Sequence, residues 1–457
     1  MESARSVIKE GLAARLAEPS SWLLGPGARG FAAAVAIVEE NLRRDKRHQP
    51  VVVAEVKSAS YLAAVLTAVK NRRPVVLANP EWGEVGRAQA AAQIKPGVWL
   101  GAKGARWPGK TPAMTFNAAQ WAGGILIPTG GTGGRVRWAV HRWATLAAAA
   151  RALVEFLNVE GCVHVSTLPV WHVSGLMPAV RALETGGILW LDDWKKIAGG
   201  RPPSTPPECA VISLVPTQLL RLLEQRAVVN WLRKTRAILL GGAAPLPGLL
   251  ERARELRLPV ALAYGMTETA AVVAMQKPDD FLAGSSPAVA ALPHAKIWVG
   301  DEWTKSLRAG TAGRIWVRAD SLFAGYYPAV RKGGAWATGD AGMMASPGQL
   351  RVLGRLDRVI ISGGEKVDPA EVERQILATG LVKQVRVMGL PDAEWGERVM
   401  AVYWGGTGRI GPIGRMQLEQ KLGTALRRRL APAAVPKTWL RAKSISDFKF
   451  QISKTGI

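Results

Sequence analysis

VVVAEVKSASYLAAVLTAVKNRRPVVLANP, residues 51–80, reads as a single folding unit. Val51 to Val56 is an apolar run rich in β-branched residues, Ala59 to Lys70 is an alanine-rich helical stretch, and Pro74 to Pro80 is apolar again. Two such strands joined by a helix run parallel, because the chain must cross back over the sheet between them. The same alternation predicts strands at 124–128, 163–169, 210–215 and 237–240, with a helix over 142–157. Each strand ends in a cluster of Gly, Pro, Ser or Thr, and the carboxyl ends of strands are where open α/β sheets bind ligands.

Beyond Pro287 the pattern changes to shorter strand-like runs separated by turns, such as GRIWVR at 313–318 and LRVLGR at 350–355. From Val359 a new α+β pattern begins, with helical PAEVERQILATG and QLEQKLGTALRRRL and strand-like QVRVMGL and VMAVYW. The expected fold is therefore α/β. A large N-terminal domain over 1–356 carries layered α/β sheets, with a small β-rich subdomain at about 288–356. A smaller α+β C-terminal lobe covers 357–457.

At 457 residues the chain is too long for one ordinary core. No apolar run reaches the roughly 18 uninterrupted residues of a membrane span; the alanine-rich stretch 144–158 is broken by Arg151 and Glu155. MESARSVIKEGLAARL scatters its charges and lacks a basic segment followed by an apolar one, so no secretory signal is read there. Cys162 and Cys209 are the only cysteines, too few for a disulfide framework or a thiolate metal site, and a reducing cytoplasm fits them best. The 60 Lys and Arg against 35 Asp and Glu give a net charge of +25, which raises the question of a polyanionic partner. Residues 101–150 contain no acid, and 421–457 carry nine Lys and Arg against one Asp.

Four further segments occur in a fixed order: PTGGTGGRVRW at 128–138, YGMTE at 264–268, ATGD at 337–340 and GRLDRVIISGGEKVDPAEVE at 354–373. A Gly/Thr-rich loop followed by a basic residue can wrap phosphate with backbone N–H groups, hydroxyls and a cation. A Thr–Glu pair can help hold a divalent metal, and an Asp can accept from ribose hydroxyls. Neither a GK[ST] ending nor a GxGxxG spacing is present, so this is not a Walker or dinucleotide-binding loop.

These segments, in this order, resemble the adenylate-forming enzymes, the superfamily of acyl-CoA synthetases, peptide-synthetase adenylation domains and luciferases. LPVWHVSGLM at 168–177, SLVPTQL at 213–219 and LLGGAAPLP at 239–247 are most similar to the o-succinylbenzoate:CoA ligases of menaquinone and phylloquinone biosynthesis. The resemblance implies ATP, Mg²⁺ and CoA as cofactors and a small carboxylic acid as substrate. It places Thr129, Gly130, Gly131, Thr132, Gly133 and Gly134 around the phosphates, with Arg137 standing where the family usually has Lys. Tyr264, Gly265, Met266 and Thr267 fall on its adenine and phosphate segment, Gly241, Gly242 and Ala243 run beside the base, and Asp340 and Arg355 hold the ribose. Glu268, with Thr132, is the implied metal ligand.

His172, Ser174, Gly175, Pro216, Thr217 and Gln218 match the family's acyl pocket, with Met266 beside them. Asp357 matches a hinge about which the small lobe rotates, bringing Gly363, Gly364 and Lys366 toward the CoA channel. The family also ends in a Gly-Lys pair whose Lys reaches the α-phosphate. Here PKTWL at 436–440 is recognisable but no Gly-Lys pair follows. Lys454, preceded by Ser453, lies at about the expected distance; Lys449 and a tail without this catalytic lysine are the alternatives.

Two rival classes are weaker. A hydrolase elbow needs Gly two positions before its Ser, and His172 stands there before Ser174. A nucleic-acid binder would account for the basic charge but leaves the four ordered segments unexplained.

Overall fold

The computed structural model describes residues 11–442 apart from 46–48, 103–105, 109–115, 118, 131–135, 244, 246–247, 301, 303–304, 357–359, 363–364, 393–394, 406–411 and 431. The predicted βαβ unit forms: strand Val51–Ala54, helix Ser58–Lys70 and strand Val75–Leu77, with Val52 paired in parallel to Val76. They belong to a six-stranded sheet in the order Gly325–Tyr326, Val136–His141, Ile125–Gly130, Val75–Leu77, Val51–Ala54, Val98–Gly101. Among the elements not anticipated, one bears on the glycine-rich stretch. After Gly130 the chain does not enter a helix; it returns as strand Val136–His141, antiparallel to Ile125–Gly130, so the glycine-rich stretch joins two strands of a hairpin.

The second sheet has twelve strands. Its first half is parallel, in the order Leu23–Leu24, Ile188–Leu191, Val163–Ser166, Ala210–Leu214, Ala237–Leu240, Val260–Met266. Its second half is antiparallel: Ala271–Met275, Val289–Ala291, Gln349–Arg355, Trp336–Ser346, Ala312–Ala319, Ala295–Gly300. Pairing changes from parallel to antiparallel at Ala271–Met275, ahead of Pro287, and the β-rich segment continues the same sheet.

Helix Ser58–Lys70 is buried nearly all round because it lies between the sheets, together with Trp143–Leu157 and Val173–Glu184. One apolar cluster joins these helices to Val51 and Val53 of the six-stranded sheet and to Leu189 and Leu191 of the other. The C-terminal residues build their own core. Strands Ile360–Ser362, Glu365–Val367, Gln384–Asp392, Gly396–Trp404 and Thr438–Arg441 form one sheet, covered by helices Pro369–Leu377 and Pro412–Arg427. Asp368 starts the first of these helices, accepting from the Ala370 N–H at 2.9 Å, with Pro369 at its first position.

The candidate active site

Four successive parallel strands deliver the predicted residues at their carboxyl ends. After Val163–Ser166 comes His172, which begins helix Val173–Glu184; after Ala210–Leu214 come Pro216, Thr217 and Gln218; after Ala237–Leu240 come Gly241 to Ala243; and Val260–Met266 runs directly into Thr267 and Glu268. Neighbouring strands are about 4.8 Å apart, so these segments form one row along the sheet edge.

The turn at Tyr264 to Glu268 depends on a glycine. The pairing with Ala271–Met275 slips between Tyr264 and Gly265, a bulge that folds the chain back on itself. A Cβ on Gly265 would sit 1.5 Å from the Ala271 carbonyl oxygen, so no other residue fits there without moving the strand. Thr269 then closes the turn: its hydroxyl accepts from the Met266 N–H at 3.0 Å.

Around this turn, side chains distant in sequence meet. The Tyr264 hydroxyl donates to Asp340 Oδ2 at 2.8 Å, and Arg355 Nη1 donates to Asp340 Oδ1 at 3.3 Å. Asp340 and Arg355 face each other across adjacent antiparallel strands, which sets that pair without a loop. A Cβ on Gly339 would lie 2.5 Å from the Arg355 guanidinium, so the glycine leaves room for it. Burial first, then the Asp340 charge, pushes the Tyr264 phenol far above its ordinary pKa, so it remains a donor.

Glu268 is buried, and Tyr326 donates its hydroxyl to it. The same Tyr326 ring carries the Arg137 guanidinium 4.5 Å from its centroid. Burial and then the Glu268 charge raise the pKa of Tyr326, so its proton stays in place. Glu268 has no ion-pair partner among the described residues. A buried carboxylate with one hydroxyl donor and no cation fits a cation that arrives with a ligand. No group of three or more His, Cys, Asp or Glu able to hold a metal occurs among the described residues. The donor set therefore suits an ion that takes its other ligands from phosphate and water, as Mg²⁺ does.

His141 ties the hairpin to this turn. Its Nε2 lies 2.7 Å from the Thr267 carbonyl oxygen, which can only accept, so Nε2 carries the proton and Nδ1, 2.9 Å from the Thr145 hydroxyl, is the acceptor. Complete burial lowers its pKa to about 4 despite that hydrogen bond. The imidazole is neutral at working pH.

The acyl-pocket residues are less tightly tied. His172 is exposed; burial of part of its ring lowers its pKa and Glu81 opposes the effect. Gly175 packs where a Cβ would lie 2.1 Å from the Pro169 carbonyl oxygen, which fixes the turn into the helix. Ser174 is partly buried and Thr217 exposed. Gln218 Oε1 accepts from the Val215 N–H at 3.1 Å, holding the start of helix Pro216–Leu222. The Thr167 hydroxyl and Trp171 Nε1, in the same segment as His172, are buried without a hydrogen-bond partner among the described residues.

Of the predicted residues, Glu268, Arg137, Tyr264, Asp340 and Arg355 converge on one centre. Thr129 and Gly130 end the strand Ile125–Gly130, whereas Gly131, Thr132, Gly133 and Gly134 lie outside the described residues, as do Asp357, Gly363, Gly364, Lys449 and Lys454. Lys366 lies in strand Glu365–Val367. Sequence reasoning missed His141 and Tyr326. The only signal for Tyr326 was a pair of tyrosines in FAGYYP at 323–328, and nothing there says which one meets Glu268.

A doubly layered α/β core, a β-rich extension of its sheet and a compact C-terminal sheet, with a polyanion-compatible centre at the strand ends, define the adenylate-forming fold. The O-succinylbenzoate coenzyme A synthetase (MenE) of Bacillus subtilis, solved with AMP, has this fold; it superposes with a TM-score of 0.77 at 22% identity, covering 95% of this chain and 94% of that one. The ATP-bound MatB of Rhodopseudomonas palustris superposes with a TM-score of 0.72 at 25% identity over 91% of this chain and 89% of that one. Residues 103–327 match the AMP-binding enzyme family. It is 33% identical over 300 residues to the 2-succinylbenzoate–CoA ligase of Escherichia coli K12, covering 63% of this chain and 60% of that protein. With the ligase of the same name from Salmonella typhimurium it shares 36% identity over 246 residues, 52% of this chain and 48% of that protein. The chain thus spans between about half and three-fifths of the length of these curated relatives.

Among the described residues no helix is long and apolar enough to cross a membrane.

Proposed function

We propose that this protein is an ATP-dependent acid:CoA ligase working through an acyl adenylate, with o-succinylbenzoate as its acid. The observation that carries the reading is the convergence of Glu268, Tyr326, Arg137, Asp340 and Arg355 around the Tyr264–Glu268 turn. An anion-accepting cation, a carboxylate awaiting a metal and a carboxylate able to accept from ribose are the parts an ATP site needs. Similarity to proteins named 2-succinylbenzoate–CoA ligase supports the choice of acid.

In the first half-reaction a carboxylate oxygen of the acid attacks the α-phosphorus of ATP and pyrophosphate leaves. In the second, the CoA sulfur attacks the acyl carbon and AMP leaves with that oxygen. Attacking carboxylate and triphosphate repel one another, so positioning and charge neutralisation supply most of the acceleration. Arg137 neutralises phosphate charge, and Asp340 and Arg355 hold the ribose. Tyr264, the Gly241–Ala243 segment and Thr267 flank the base and phosphates. Glu268 and Thr132 would hold Mg²⁺, which supplies Lewis-acid neutralisation of the phosphates. The segment around His172, with Ser174, Gly175, Pro216, Thr217 and Gln218, walls the acid. Lys454 is the residue we assign to the α-phosphate, and Asp357 to the hinge that brings Gly363, Gly364 and Lys366 to CoA. The N-terminal domain is taken as 1–356 and the mobile lobe as 357–457. The two half-reactions need only small soluble substrates, and we place the enzyme in the cytoplasm.

Pyrophosphate release measured across a panel of acids tests the substrate. o-Succinylbenzoate should outpace benzoate and fatty acids; equal or better turnover of long-chain fatty acids would reject the acid while leaving the class.

A further inference from the structure

The two cysteines of the chain stand at the starts of adjacent parallel strands. Val163 pairs with Ala210 across adjacent parallel strands, and Cys162 and Cys209 each immediately precede their strand, so they occupy matching positions at the strand starts. Cys209 closes the 3-10 turn Pro207–Cys209 that leads into its strand, and Cys162 packs in the cluster containing Val211, the residue after Ala210, so that the charge of Cys209 reaches the Cys162 thiol. Parallel neighbours are about 4.8 Å apart, inside the roughly 4.4 to 6.8 Å range of Cα separations that a disulfide spans. Cys209 is exposed and Cys162 half-buried. Neither the nucleotide centre nor the acid segment uses them, since those sit at the opposite, carboxyl ends of the same strands.

We propose that Cys162 and Cys209 are a redox pair that closes to an intramolecular disulfide by exchange with a low-molecular-weight disulfide of the glutathione type. The exposed Cys209 thiolate attacks a sulfur of the oxidant and expels one small thiolate. Cys162 then attacks the Cys209 sulfur of the mixed disulfide and expels the second. The two protons given up by the cysteines go to the two leaving thiolates; the protein loses two electrons and the oxidant gains them. The division of roles follows from the surroundings. Burial and then the charge of Cys209 hold the Cys162 thiol up, against the pull of Arg236, and the charge of Cys209 vanishes once it is capped.

The test is to incubate the full chain with oxidised glutathione, then combine intact mass, alkylation of free thiols and peptide mapping. Closure predicts loss of the mass of two hydrogens, loss of both alkylatable thiols, a linked Cys162–Cys209 peptide, and full recovery with dithiothreitol. Cys162→Ser should instead accumulate one glutathione on Cys209, and thermal melts confirm that the variant is folded. The oxidised wild type should also keep its acid-dependent pyrophosphate release, because the bond forms away from the strand ends that carry the site. Stable glutathione adducts on the wild type, or two thiols still free under conditions that cap Cys209 in Cys162→Ser, would overturn the proposal.

Discussion

Glu268 is the residue whose chemistry is most exposed to test. Its carboxylate is buried with a tyrosine hydroxyl as donor, an arrangement that costs stability unless a cation joins it. Glu268→Gln preserves volume and removes the charge. Adenylation should fall by about two orders of magnitude, as when other charge-stabilising groups at transition states are removed. The fold should survive. Wild-type pyrophosphate release by the variant at limiting Mg²⁺ would make Glu268 structural. Tyr326→Phe separates two effects at the same point: the ring that Arg137 covers remains and the hydroxyl given to Glu268 is lost. The loss of one hydrogen bond to a charged group is worth about 1.5 to 3 kcal/mol. It should raise KM for Mg-ATP and leave KM for the acid unchanged; a change confined to the acid would contradict the assignment.

At the scale of elements, strands were legible where burial makes them apolar on both faces. Val51–Ala54 and Ala237–Leu240 are buried throughout and read as short uninterrupted apolar runs, and Ala210–Leu214 as one broken only by the buried Ser213. Val136–His141 was not legible, because Arg137 and His141 interrupt its apolar pattern; one belongs to the site and the other reaches the Thr267 carbonyl. The residues of the proposed site stand out in the sequence as motifs, but the contacts that wire them together do not. Tyr264 and Asp340 are 76 residues apart, Tyr326 and Glu268 58, and His141 and Thr267 126, distances along the chain that only sheet order closes. The His141 tie has a consequence for acid stability. Its folded pKa of about 4 lies below the ordinary 6.5, so the unfolded chain binds the proton more readily. Above about pH 6.5 it has no effect. Between there and about pH 4 stability falls as the unfolded state protonates, by on the order of 3 kcal/mol in all, and His164, held low by burial and then Arg181, acts in the same direction. Urea unfolding at pH 7 and pH 4.5 should show the loss. Equal midpoints would mean that the buried imidazoles protonate without opening the fold.

The whole molecule comprises a twelve-stranded sheet that carries Tyr264, Asp340 and Arg355, a six-stranded sheet that carries Arg137, and a separate C-terminal sheet with its own core. The order of the sheets could not be read from sequence, since strands as distant as Ala271–Met275 and Gln349–Arg355 are brought together through Val289–Ala291. The two half-reactions we propose would have the C-terminal sheet change its position between them. At the hinge we propose, Asp357→Pro would restrict φ to about −65° and should uncouple acyl-adenylate formation from thioester formation; both remaining normal would remove Asp357 from that role. Lys454→Ala should reduce adenylation by about 2 to 4 kcal/mol of transition-state stabilisation. Conversion of presynthesised acyl adenylate should be spared. Unchanged adenylation would transfer the role to Lys449 or to no lysine. The measurement that bears most directly on the account follows oxygen. With o-succinylbenzoate carrying heavy oxygen in its reacting carboxylate, ATP and CoA should yield the thioester together with AMP that has gained one labelled oxygen. Thioester formed with the label in orthophosphate or pyrophosphate, and none in AMP, would contradict it.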